Sequence, residues 1–189
     1  MRVMMLLAML AGLAQADRIR DYHEWQQACV NAKDAGTIDG YIAKFRQCLD
    51  SNPGDHLARV NLGSAYTLRS AETFWGPKKF DYLKKGGKLM DEAVTAAPND
   101  ARVRFLRAAN AFRVPQRFGR RQVAVADFEI LLPVAIQGGQ GLSVRERQAM
   151  LYFAWQTFAE EGKADDAEKA RSACHRLDPQ SGYGQKAAG

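Results

Sequence analysis

Residues 151–180 read LYFAWQTFAEEGKADDAEKARSACHRLDPQ, and this stretch decides the fold. Leu151, Ala154 and Phe158 recur at three- and four-residue spacing, which predicts one helix face. Glu161-Gly162-Lys163 breaks the pattern, and Ala167, Ala170 and Cys174 resume it on a second helix. Pro179 stops that helix, because proline lacks the N–H that the next turn needs. Two helices joined by so short a break lie antiparallel.

The same signals recur upstream. Strands are not predicted, since no run of alternating β-branched residues lies between turn residues. Helices are predicted over 18–34, 37–51, 55–72, 78–97, 100–113, 119–137, 143–161 and 164–177. Pro53, Pro98, Pro133 and Pro179 each follow a helical stretch, at separations of 45, 35 and 46 residues. Ser51-Asn52-Pro53-Gly54-Asp55 and Ala97-Pro98-Asn99-Asp100 place a capping residue after the proline, ready to start the next helix. Ser143 with Glu146 three residues on forms a predicted capping box. The intervening Gly138-Gly139-Gln140-Gly141 reads as a flexible hinge.

Upstream of each proline, large, small and aromatic residues follow in a set order. Before Pro53 come Trp25, Ala28, Cys29, Ala32, Gly36, Phe45 and Cys48. Before Pro98 come Leu62, Gly63, Tyr66, Gly86, Met90 and Ala93, and before Pro133 come Phe105, Ala108, Ala109, Phe112 and Val125. This order resembles the tetratricopeptide repeat, a helix-turn-helix unit of about 34 residues. The likeness covers residues 22–180, with about eleven extra residues in two of the intervals. It implies an all-α fold in which about four antiparallel helix pairs stack as a short solenoid. Small residues let paired helices approach, and large ones fill the space to the next pair.

The N-terminus reads differently. Arg2 is followed by an apolar run from Val3 to Ala14, and Ala14-Gln15-Ala16 offers small residues at a cleavage site. This is the layout of a secretory signal peptide cut after Ala16, which predicts a periplasmic or secreted protein. The expected organisation is a leader over 1–16, a helical repeat domain over 17–180 and a flexible tail over 181–189. No later segment is apolar enough to anchor the mature chain in a bilayer.

Chemistry-bearing patterns are sparse. His23, His56 and His175 lack ligand-type partners one turn away, so no metal site is expected. No serine elbow, phosphate-binding loop or dinucleotide fingerprint occurs, and no cofactor is called for. Cys29 and Cys48 lie on opposite helices of the first pair, where a disulfide and two buried thiols are both open readings. The net charge of +6 is mild and spread along the chain, and nothing in it points to nucleic acid.

The resemblance implies a concave groove lined by first helices, holding a peptide or protein surface from the cell envelope. Asn61, Ser64, Arg107 and Asn110 are the candidate groove residues. Asn61 and Arg107 fall at two positions where family members grip a terminal carboxylate, although the remaining clamp residues are not matched. Phe74, Trp75 and Phe80 surround Gly76-Pro77 in the longest insertion, and Trp75 joins the candidate contact residues. A small-molecule binder or an enzyme enclosed by the helices is the rival reading, and self-assembly is a third.

Overall fold

The computed structural model describes the backbone of residues 2–74 and 76–188, and side chains from residue 13 onward. Among the described residues the fold is all-helical, without strands. The helices are α1 (Arg2–Asn31), α2 (Ala35–Ser51), α3 (His56–Ala71), α4 (Pro77–Ala96), α5 (Ala101–Arg113), α6 (Arg121–Gln137), α7 (Val144–Glu160), α8 (Ala164–Leu177) and α9 (Gly182–Lys186). A single 3-10 turn, Gln116–Phe118, precedes α6. Residues up to Ala93 and residues from Val94 form two compact units.

In the first unit α1, α2 and α3 enclose Tyr22, Cys29, Ile38, Ile42, Phe45, Ala58, Leu62, Ala65 and Tyr66. α3 and α4 then meet backbone to backbone. A Cβ built on Gly63 would stand 2.7 Å from the Gly86 carbonyl oxygen, and one on Gly86 would stand 2.6 Å from the Gly63 carbonyl oxygen. No side chain fits between them, so the small residues predicted before Pro98 are there to bring two helix axes together.

In the second unit α5 to α8 bury Phe128, Leu131, Met150, Leu151, Ala154, Phe158, Ala170 and Cys174. Between α7 and α8, Gly162 adopts φ 72° while the Lys163 N–H donates to the Phe158 carbonyl at 2.9 Å. The left-handed residue closes the end of α7, which is the usual task of a glycine there.

The helix joints repeat in atomic detail. After Pro53, Asp55 caps α3 by accepting from the Ala58 N–H at 2.9 Å, and Arg59 donates back to the Pro53 carbonyl at 2.7 Å. After Pro98, Asp100 caps α5 by accepting from the Val103 N–H at 3.1 Å, and Arg104 donates back to the Pro98 carbonyl at 2.6 Å. After Pro179 the same offsets carry Ser181, which caps α9, and Gln185, which donates to the Gln180 carbonyl at 3.1 Å. Proline, a cap two residues on and a donor six residues on therefore form one recurring joint. The sequence reading found the prolines and caps and missed the donor.

Three expectations need correction, while the helix predicted over 119–137 stands, with Pro133 inside α6. The missing N–H is tolerated there, and α6 runs on to Gln137. The glycine-rich connection is pinned. Arg102 donates to the Gln140 and Gly141 carbonyls and pairs with Glu146, while the Gln140 side chain accepts from the Ala101 N–H at 3.0 Å. Residues 181–188 fold back, with Ala187 at 1% exposure and Gly184 so close to Asp178 that a Cβ would lie 1.9 Å from its carbonyl oxygen. Finally, α1 begins at Arg2 and passes through Ala16 without a break, where a helix starting at residue 18 was expected.

Candidate functional site

The predicted groove residues fall in separate units. In the first, Asn61 and Ser64 lie on α3 at 2% and 4% exposure. Ser64 Oγ accepts from Gln26 Nε2 on α1 at 2.8 Å, and Asn61 Nδ2 donates to the Leu57 carbonyl at 2.8 Å. Gln26 Oε1 and Asn61 Oδ1 are buried without a hydrogen-bond partner among the described residues. A polar seam thus runs between α1 and α3. Its outer end is Tyr22, whose hydroxyl donates to Asp55 at 3.0 Å. Burial, followed by the hydrogen bonds with Cys48 and Asp55, pushes the Tyr22 hydroxyl well above the ordinary tyrosine range.

In the second unit Arg107 is engaged internally. Its Nε and Nη2 donate to the two carboxylate oxygens of Asp127, each at 2.8 Å, and Arg104 Nη1 adds a third bond at 2.6 Å. Asp127 is fully buried on α6, so two guanidinium groups offset its desolvation. Asn110 is buried on the same α5 helix, and its carbonyl accepts from the Val114 N–H at 3.1 Å. Trp75 lies outside the described residues. Cys29 and Cys174 are buried free thiols, and Cys48 is a half-buried one. Burial raises the Cys29 thiol to about 11.

A cluster that sequence reasoning missed occupies the first unit. Tyr66 of α3 and Tyr82 of α4 stack with ring centres 6.0 Å apart and planes 22° apart. Lys85 stands 4.5 Å from the centre of the Tyr66 ring, and Arg46 of α2 stands 5.5 Å from it. Arg46 also donates to the Tyr66 hydroxyl. Arg69 and Lys78 stand 5.2 Å and 5.9 Å from the Tyr82 ring. Arg69 Nε donates to Asp39 at 2.9 Å and Nη1 to Thr73 at 2.8 Å.

Four cations from three helices thus share two tyrosine rings. The ring faces attract them and hold them together against their mutual repulsion. Tyr66 is itself buried, so the accessible chemistry is that of Arg46, Lys78 and Lys85, all exposed, around an aromatic base. A carboxylate-rich chain fits such a base, and Arg46 offers it a forked donor. No alternating pattern marks these residues in the sequence. They meet only because Gly63 and Gly86 bring α3 against α4.

Other chemistry is thin. Among the described residues no group of histidine, cysteine and carboxylate side chains has the arrangement of a metal site. No described helix is long and apolar enough to cross a membrane. Compared with known proteins, the chain matches no family model, no curated protein and no solved structure.

Proposed function

We propose that the chain is an exported scaffold of tetratricopeptide-like helix pairs that holds an acidic peptide or protein surface in a concave groove. The observation that carries this reading is the recurring joint, in which Pro53, Asp55 and Arg59 are matched by Pro98, Asp100 and Arg104. A joint reused between helix pairs suits stacked helical hairpins, which commonly present an extended surface. Within this reading α9 takes the position that α3 and α5 take after their prolines, and so covers the end of the last pair. Removal of residues 1–16 after Ala16 would release the scaffold into the periplasm or the medium.

Peptide contact is assigned to the cation–tyrosine cluster. Arg107 is engaged by Asp127 within the second unit, while Arg46 and Lys85 stay solvent-facing in the first. The test is fluorescence anisotropy of a labelled polyglutamate peptide titrated with the purified full chain at low salt. Arg46→Glu should weaken binding about tenfold, which is about 1.4 kcal/mol. Lys169→Glu, on an exposed position of α8, should leave it unchanged. Equal weakening by both substitutions would mean non-specific charge attraction and would remove the assignment.

A further inference from the structure

Phe74 is 91% exposed, the most exposed large apolar side chain among those described. It stands in the short connection between α3 and α4, two residues before Gly76, and no described residue of its own unit covers it. Phe80, one turn into α4, is 47% exposed. Lys84 and Lys88 follow at four-residue steps, so Phe80, Lys84 and Lys88 form one exposed stripe along α4. Lys78 is exposed at the start of the helix, and Lys79 donates to the Thr73 carbonyl at 3.5 Å, which ties the connection to α4. Residues 69–88 hold Arg69, Lys78, Lys79, Lys84, Lys85 and Lys88 against Glu72 and Asp81. This is a local excess of four, and Lys88 pairs with Glu92 on the next turn at 3.8 Å.

We propose that this end of the first unit docks on an anionic lipid surface, with Phe74 entering the interfacial layer and Lys78 and Lys84 meeting lipid phosphates. Phe74 lies outside the cation–tyrosine cluster, so the proposal is separable from the peptide reading at that residue, while Lys78 belongs to both. Three features select a bilayer over a protein partner. The apolar group is a projecting tip, whereas protein docking favours aromatic anchors clustered in a broad, well-packed patch. Phenylalanine is among the side chains that interfacial segments bury at the boundary between headgroups and acyl chains. Lysines around such a tip keep their stems against apolar matter and their ammonium groups at the phosphates. A negative leaflet attracts each lysine near it, so the lysines of α4 add to what the aromatic side chain contributes.

The test is co-sedimentation of the full chain with vesicles of phosphatidylglycerol and, separately, of phosphatidylcholine. Any contribution from the apolar residues 3–14 is common to all variants, so the comparison between variants is the readout. Phe74→Ala should lower partitioning onto phosphatidylglycerol about tenfold. The Lys78→Glu, Lys84→Glu double variant should lower it by at least as much, with little change on phosphatidylcholine. Val144→Ala, which removes an exposed apolar side chain from the second unit, should change neither. Failure of the unaltered chain to bind phosphatidylglycerol, or equal binding by Phe74→Ala, overturns the proposal. The anisotropy titration with polyglutamate is unaffected by that failure, because Phe74→Ala leaves the cation–tyrosine cluster in place.

Discussion

Replacing Gly184 by alanine should uncover a thiol, and the size of the effect follows from the way α9 sits on α8. A Cβ at residue 184 would lie 1.9 Å from the Asp178 carbonyl oxygen, 2.9 Å from its carbon and 3.0 Å from Pro179 Cα. All three are backbone atoms, so no side-chain rotation relieves the clash, and α9 must lift. Beneath it Cys174 is at 0% exposure, with its Sγ near the Gln148 and Tyr183 carbonyls. Burial raises that thiol to about 11. At about pH 8 roughly one molecule in a thousand then carries the thiolate, against about one in four for an ordinary thiol near 8.5. The rarer thiolate is the stronger nucleophile by roughly tenfold, so ionisation alone leaves a gain of about twentyfold. Steric access adds to it. Alkylation by iodoacetamide at about pH 8, with Cys174 located by peptide mapping, measures the rate. Cys29, buried in the other unit, serves as an internal reference. A Cys174 rate raised less than about fivefold would show that α9 is not the cover described here.

Other perturbations test the packing. Asp127→Ala leaves Arg104 and Arg107, whose side chains are 11% and 16% exposed, facing an empty acceptor position. The loss should be about 3 kcal/mol in urea unfolding of the second unit, at the lower end for a broken buried pair because both arginines reach some solvent. Replacing all three residues by apolar ones of similar volume should cost less than the single change, and the reverse order would refute the account. Gly63→Ala drives a Cβ to 2.7 Å from Gly86 O and from Met90 Cγ, and should destabilise the first unit by about 2 kcal/mol. Gly40→Ala, with no atom within 4 Å of the new Cβ, should be neutral or stabilising in the same unfolding assay. Acid should loosen the 138–143 connection. Burial raises the Glu146 carboxyl, but the bonds from Arg102 and Ser143 outweigh it and hold the group below its ordinary range. A depressed carboxyl stabilises above its unfolded value near 4.3, and the contribution is lost as pH falls through the folded value. Amide exchange at Ala101 and Ser143 should therefore quicken below about pH 4 while exchange in α8 does not.

The helices were legible because their evidence is local. Spacing along the chain fixed α2 to α8 to within a few residues, and Ser143 with Glu146 forms the capping box that the sequence announced. The first helix was cut short, since the charged residues Asp17 and Arg18 do not interrupt helical hydrogen bonding. α9 was missed because Gly182-Tyr183-Gly184 reads as loop. Its helix is stabilised by the Ser181 cap and by packing on Cys174, and neither is visible without the fold. Candidate contact residues fared differently, for a physical reason. An arginine on a helix face looks the same whether it faces water or a buried carboxylate two turns along the neighbouring helix. Asp127 settles which applies to Arg107. The cation–tyrosine cluster was equally hidden, because its members lie on three helices and meet only through the glycine contact of α3 and α4.

The ties from Arg102 to Gln140 and Gly141 bear on how the chain resists cleavage. A glycine-rich stretch invites proteases because it can straighten into their clefts and lend its carbonyls to them. Here the two carbonyls an attacking enzyme would want are already held by a guanidinium, and Arg147 holds those of Ala135 and Ile136 just upstream. The seam that composition marks as the softest thus has four of its own and its neighbours' carbonyls tied to arginines.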